Sequence, residues 1–145
     1  MRKKWFLIPL LCFVLVLFLF RYVIYIGYVP TDSMEPTIMA GDKIFGIRIL
    51  GELEVGDVIV FEYEGTYMVK RIAAVPGDTL KINSEEIKIP KDCYYVLGDN
   101  YWNSFDSRYW QEPFVHQKKI IAVILLYRKT PVYKRAIIYS SQPQS

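Results

Sequence analysis

"TYMVKRIAAV", residues 66 to 75, is the stretch whose reading decides the fold. Read as a strand, its two-residue period places Met68, Lys70, Ile72 and Ala74 on one face and Tyr67, Val69, Arg71 and Ala73 on the other. A glycine precedes it and "PGD" follows, which is the punctuation of a strand. In both directions the same pattern recurs. "KIFGIRI" and "DVIVFEY" lie before it, and "TLKI", "EIKI", "CYYVLG" and "KIIAVILLY" after it, each short and separated by glycine, proline or acidic turns. Ile120 to Tyr127 is apolar throughout but too short to cross lipid as a helix, so it reads as a buried strand. No sustained helical stripe and no internal repeat is visible beyond the N-terminal run. The expectation is an all-β domain, a coiled or folded sheet.

The N-terminal run is different. From Trp5 to Ile26, "WFLIPLLCFVLVLFLFRYVIYI" carries one charge, Arg21, and as a helix it would reach about 33 Å, enough to cross a bilayer. Arg21 lies near one end, where its stem can snorkel to the headgroups, and Trp5, Tyr22, Tyr25 and Tyr28 fall where interfacial aromatics are expected. The rival reading, a cleavable secretory signal, has the basic "MRKK" in its favour. Against it stand the length of the run and the lack of a small-x-small site after it. Arg2, Lys3 and Lys4 precede the run and Asp32 and Glu35 follow it, which places the N-terminus in the cytoplasm and everything after residue 28 outside. The expected organisation is 1–28 for the cytoplasmic N-terminus and transmembrane anchor, 29–139 for an extracytoplasmic β domain, and 140–145 for a frayed tail ending in "SQPQS". The 145 residues, less the anchor, leave one modest core.

The net charge of +3 is small, and no arginine-rich stretch interleaves with aromatics, so nucleic acid is not an expected partner. Cys12 falls inside the anchor and Cys93 beyond it, so the two cannot bridge within one chain. No His, Cys and carboxylate cluster has metal spacing, and neither metal nor organic cofactor is expected.

Just past the anchor, "VPTDSMEPTI" holds Ser33 with no histidine near it. If that hydroxyl is a nucleophile, a base must take its proton. His116, the only histidine, follows "EPFV" in a stretch without a motif and reads as a surface or supporting residue. A lysine or a carboxylate remains. A lysine serves only when neutral, and with the ordinary side-chain pKa of about 10.4 under about one in a thousand is neutral at pH 7. Burial must shift it, at about 3 to 4 kcal/mol for two to three units. Lys81 and Lys88 flank acidic turns, and Lys118 and Lys119 are adjacent to each other. Lys70 shares its face with a methionine, an isoleucine and an alanine, whereas Arg71 never deprotonates and can only be structural or bind an anion. The same pattern also fits an edge-strand lysine whose tip reaches water, and the residues alone leave both open.

"SMEPT" (33–37), "GDVIVF" (56–61), "VKRIAAVPGD" (69–78) and "LGDNYWNSFDSRYW" (97–110) stand in the order and approximate spacing of the boxes of the type I signal peptidases, which this chain resembles from the anchor to about residue 126. Each box alone is weak; four in order behind one anchor are specific. The resemblance implies a mainly β fold: a single N-terminal transmembrane helix followed by an all-β signal-peptidase-like catalytic domain. It also implies a membrane-bound Ser/Lys endopeptidase that removes leader peptides from exported proteins. Ser33 then matches the nucleophile and Lys70 the general base. The Ser33 amide and the Thr31 hydroxyl match the oxyanion hole, with threonine where serine is frequent. Ser104 matches a serine that hydrogen-bonds the lysine, and Asp106 and Arg108 a pair holding that loop; as an exposed pair they would contribute little. Gly98, Asp99 and Asn100 read as a tight turn, with Met34 and Pro36 setting shape.

The implied substrates are exported preproteins with small residues at the first and third positions before the cut, bound as an extended strand. Ile38 and the stretch around Val58 to Phe61 are candidates for the pockets. The lipid bilayer is an implied partner, as is translocation or conjugation machinery, with the chain single-pass in the cytoplasmic membrane. Between "PGD" and "LGDN" there is room for a hairpin only, so the second β subdomain of larger members is much reduced. Two other functions fit the residues: a maturation peptidase of a conjugation or pilus system with one dedicated substrate, and a noncatalytic membrane-anchored β binding module. Self-cleaving repressor proteases share the Ser/Lys pair, but the anchor and the lack of a DNA-binding segment set them aside.

Overall fold

The computed structural model describes residues 4–48, 51–82 and 85–125. The expected tail, the part of the β domain from 126 to 139 and residues 1–3 lie outside the described residues. The N-terminal apolar run forms helix α1, Lys4–Phe18, continued by a π-helical turn, Leu19–Val23. Phe6–Val23 is 18 residues of mean hydropathy 2.6 with none of it buried, long and apolar enough to cross a membrane.

The helix stops short of the expected Ile26. Ile24 is already extended, with φ −88° and ψ 136°, and Ile24–Tyr28 is strand β1. It pairs antiparallel with β2, Lys43–Ile47, in a register running from Ile24 opposite Ile47 to Tyr28 opposite Lys43. Arg48 closes the junction, its amide donating to the Val23 carbonyl at 2.7 Å. The last apolar residues of the run suit either a helix or a strand, and a strand partner decides between them. The expected boundary at residue 28 therefore falls beyond a strand that belongs to the sheet.

The remaining strands are β3, Val58–Tyr63; β4, Thr66–Ala74; β5, Thr79–Ile82; β6, Glu85–Lys88; β7, Cys93–Leu97; β8, Val115–His116; and β9, Ile120–Ile124. Seven of the nine described strands form one antiparallel sheet in the order β1-β2-β9-β3-β4-β7-β8, and β5 and β6 form a separate hairpin. The chain is thus mainly β with one N-terminal apolar helix, and a single hairpin occupies the stretch between Gly77 and Cys93. Strands β1 and β8 are additions to the sequence reading. β9 is less uniformly buried than expected and ends before Leu125, with 126 and 127 outside the described residues: Ile120, Ala122 and Ile124 are buried, Ile121 and Val123 half-buried.

Register assigns the core. Ile59 lies opposite Lys70 and Phe61 opposite Met68, while Val58 lies opposite Arg71 and Val60 opposite Val69; directly opposed residues share a face. Ile59, Phe61 and Ile72 accordingly join a cluster with Leu53, Val96 and Trp110. Val58 and Val60 join another with Val29, Met34, Ile38 and Ile44. Each large apolar side chain so buried stabilises the fold by about 1.5 to 3 kcal/mol. The expected alternation along β4 holds from Met68 to Ile72. It breaks at the register shift between Ile72 and Ala74, past which Ala73 and Ala74 both enter a third cluster with Leu80, Ile89 and Leu97.

One feature of the sheet positions the site. β7 pairs with β4 only at Arg71, Ile72 and Ala74, so among the described residues no strand covers Thr66–Lys70 on the side away from β3. Beyond Leu97 the chain leaves the sheet and loops back across that end through residues 98–110.

Candidate active site

Ser33 sits in the turn that follows β1. Val29 ties the turn's base to the far side, donating to Asp42 at 3.0 Å and accepting from Gly41 at 2.8 Å. Met34 and Ile38 bury their side chains in the core beneath, Met34 completely, so the residue before Met34 is held on a plugged turn. The 98–110 loop grips the same turn from above. The Asn100 amide donates to the Ser33 carbonyl at 3.0 Å, Asn100 Nδ2 to the Asp32 carbonyl at 3.2 Å, and Asn103 Nδ2 to the Asp32 carboxylate at 2.7 Å. Neither asparagine was singled out for this from sequence; the cue was their clustering in the "LGDNYWNSFDSRYW" box.

Lys70 Nζ donates to Ser33 Oγ at 2.6 Å. Lys70 is 4% and Ser33 7% exposed. Burial pushes the Lys70 amine down to about 8, against the opposing pull of the Asp106 carboxylate and with help from the Arg108 guanidinium. Desolvation disfavours the ammonium, and among the described residues no carboxylate bonds directly to it. Thr31, on the exposed side, brings Oγ1 within 3.4 Å of Ser33 Oγ.

Ser104 differs from the expectation. Its hydroxyl donates to Asp106 Oδ2 at 2.7 Å, and no hydrogen bond joins it to Lys70 among the described residues. The hydroxyl's one proton is thus committed to the Asp106 carboxylate, two residues away. Asp106 is fully buried and is a hub: it also accepts the Gly98 amide at 2.9 Å and both Arg108 Nε and Nη2 at 2.8 Å. Arg108 in turn lies over Tyr101, 4.3 Å from the ring centroid. The Asp106–Arg108 pair therefore braces the loop from inside; it is not an exposed pair.

Asp99 is likewise more than a turn residue. It takes a bidentate ion pair from Arg71, with Nε to Oδ1 at 2.7 Å and Nη2 to Oδ2, and both side chains are buried. Arg71 Nη1 also donates to the Gly56 carbonyl at 2.9 Å. One guanidinium thus ties β4 to the loop carrying Asn100 and to the turn before β3. Three Gly-Asp turns are built alike: Gly41, Gly56 and Gly77 hold φ of +98°, +100° and +90°, and Asp42, Asp57 and Asp78 accept the amides of Met39, Glu54 and Val75, three residues back. Only glycine takes that backbone conformation without strain.

A cleft of about 330 Å³ opens beside the pair, walled by Tyr25, Val29, Ile44, Val60, Met68 and Val69 among others. Of the expected pocket residues, Ile38, Val58 and Phe61 do not line it. They are core residues, 4%, 0% and 0% exposed; of the stretch from Val58 to Phe61, Val60 reaches the cleft, beside Ile44 of β2, Tyr25 of β1 and the uncovered end of β4. His116 lies on β8, the outer strand past β7. Its Nδ1 is 3.3 Å from Cys93 Sγ, a buried thiol raised by desolvation, and no hydrogen bond joins it to Ser33. Among the described residues, no three His, Cys, Asp or Glu side chains gather to hold a metal ion.

A buried hydroxyl bonded to an amine of lowered pKa can yield an alkoxide near neutral pH, and the apolar cleft beside it can receive a peptide. The model of the family described as signal peptidase, peptidase S26, matches residues 2–89 and 83–127. The chain is 30% identical to signal peptidase I P of Bacillus subtilis subsp. natto, over 74% of this chain and 81% of that protein. It is 32% identical to a probable signal peptidase I-1 of Synechocystis sp., over 79% of this chain and 76% of the relative. A probable signal peptidase I-2 of the same organism is 30% identical, and there the match spans 58% of the relative's length.

Proposed function

The chain belongs to the signal peptidase family, peptidase S26, and from that premise we propose that it is a membrane-anchored serine endopeptidase that releases leader peptides from exported proteins, with Ser33 as nucleophile and Lys70 as general base. The observation that carries this reading is the 2.6 Å bond between Lys70 Nζ and Ser33 Oγ in a water-poor pocket. Neutral Lys70 takes the Ser33 proton as Oγ bonds to the scissile carbonyl carbon. The electrons displaced onto the carbonyl oxygen are met by the Ser33 N–H and the Thr31 hydroxyl. When the tetrahedral adduct collapses, the C–N bond breaks and the leaving amine takes the proton from Lys70. Water, deprotonated by Lys70, then attacks the ester carbonyl, and as the bond to Oγ breaks Lys70 returns the proton to Ser33.

The uncovered edge of Thr66–Lys70 suits an extended peptide adding itself as a strand, with main-chain bonds supplying affinity and the cleft reading alternate side chains. Helix α1 is the anchor, with Phe6–Val23 in the bilayer, the N-terminus in the cytoplasm and the sheet outside. Continuity of α1 with β1 keeps the cleft beside the membrane surface, where a precursor's own apolar segment would hold its cleavage site.

The test is hydrolysis of a leader peptide with a small-x-small site by the full chain in detergent. Turnover is expected in the wild type and lost in both Ser33→Ala and Lys70→Met, with circular dichroism unchanged. Undiminished turnover by Lys70→Met would remove Lys70 as the base.

A further inference from the structure

Tyr25 and Tyr67 wall the same cleft as Ser33 and Lys70, and the two rings are close enough to influence each other electrostatically. Tyr67 stands three residues before Lys70 on β4, about 10 Å along an extended strand. The Tyr25 ring lies directly over Gly27: a Cβ built on that glycine would stand 2.8 Å from Tyr25 Cε1 and 3.0 Å from its phenolic oxygen. The ring thus takes the space that a side chain at 27 would fill. Gly27 is opposite Ile44, and Tyr25 packs against the cluster of Val29, Ile44 and Val60, the same side chains that wall the cleft. Arg48 holds the ring from outside. Its guanidinium sits 5.0 Å from the ring centroid, and its Nε is fixed by the Ile24 carbonyl at 3.3 Å.

We propose that Tyr25 is a specificity-determining residue: clamped by Arg48 over the gap at Gly27, its ring limits the cleft to a short side chain at the third position before the cut. An extended peptide along Thr66–Lys70 advances about 3.3 Å per residue and points every second side chain the same way. With the residue at the cut beside Ser33, the next side chain on that face lies two residues back, about 7 Å along the strand, within the cleft that Val29, Ile44 and Tyr25 wall. The inference rests on the leader-peptidase reading above and adds to it which residue sets the size limit.

The test uses full-length protein in detergent and peptides differing only at that third position, with alanine or leucine there. The readout is the ratio of the two kcat/KM values, in which a loss common to both cancels. The wild type is expected to favour alanine. Tyr25→Ala is expected to lower the alanine-to-leucine ratio by about tenfold, the selectivity one or two methylenes carry in an apolar pocket. Tyr25→Phe keeps the ring and the ratio, and Arg48→Gln lowers it partway. If Tyr25→Ala is too poorly folded to assay, Tyr25→Thr, a residue suited to a strand, carries the same expectation. An unaltered ratio in the folded variant overturns the assignment of Tyr25 while Ser33-dependent cleavage stands. No Ser33-dependent cleavage of either peptide by the wild type overturns the leader-peptidase reading and this proposal with it.

Discussion

Gly98 approaches Ser33 so closely that a methyl group on its Cα would stand 2.5 Å from the Ser33 carbonyl oxygen, and 2.1 Å from Ser104 Oγ on the other side. The nucleophile's turn and the 98–110 loop meet through a glycine because no other residue fits between them. Gly98→Ala must push one of them aside. A misplacement of about 1 Å at a reacting group costs about a hundredfold in rate. The variant is expected to lose about that much kcat with a smaller change in KM, which steady-state kinetics on a leader peptide will measure. Wild-type kcat would mean that the loops part without moving Ser33.

The Lys70 amine, brought to about 8 by burial, is about one-tenth neutral at pH 7 and about nine-tenths neutral at pH 9. If the neutral form is the base, kcat/KM rises through an apparent pKa near 8 and levels off above it. Asp106 is the carboxylate that most favours the ammonium, and Arg108 opposes it. Asp106→Asn leaves the opposition alone, so its rising limb is expected at lower pH. A profile flat from pH 6 to 9 in the wild type would be incompatible with Lys70 as base.

The same burial has a consequence for stability. The folded state lowers the Lys70 pKa from 10.5 to about 8, so the unfolded chain binds the proton more tightly. The resulting cost to folding is fully present below pH 8 and fades as pH rises from 8 towards 10.5. Lys70→Met, which removes the charge and keeps the packing, is expected to stabilise the protein by about 1 to 3 kcal/mol at pH 7. Urea unfolding at pH 7 and pH 10 checks this; the gain should shrink at the higher pH. A destabilised variant at pH 7 would contradict it.

Arg71 and Asp99 are buried together and bonded through two nitrogens. Removing either takes the bidentate partner from the other's buried charge, at about 3 to 5 kcal/mol. Arg71→Met and Asp99→Leu are each expected to cost that much, and the double variant clearly less than their sum. A denaturant double-mutant cycle measures the coupling, and strict additivity would show that the pair does not act as a unit.

The strand character of Thr66–Ala74, the shared face of Met68, Lys70 and Ile72, and the apolar length of the N-terminal run were legible in the residues themselves, because side-chain alternation and hydropathy are properties of one local segment. The order of four motif boxes pointed to Ser33 and Lys70, 37 residues apart, though nothing local says that they touch. Only the tertiary structure decided that Ile24–Tyr28 leaves the helix for a strand and that Asp99 answers Arg71. It also decided that Ser104 turns to Asp106, and that Ile38, Val58 and Phe61 are core while Tyr25 and Val29 wall the cleft. Each of these depends on which distant strand or loop arrives alongside and in what register, and a shift of one residue would turn every side chain of a strand to its other face.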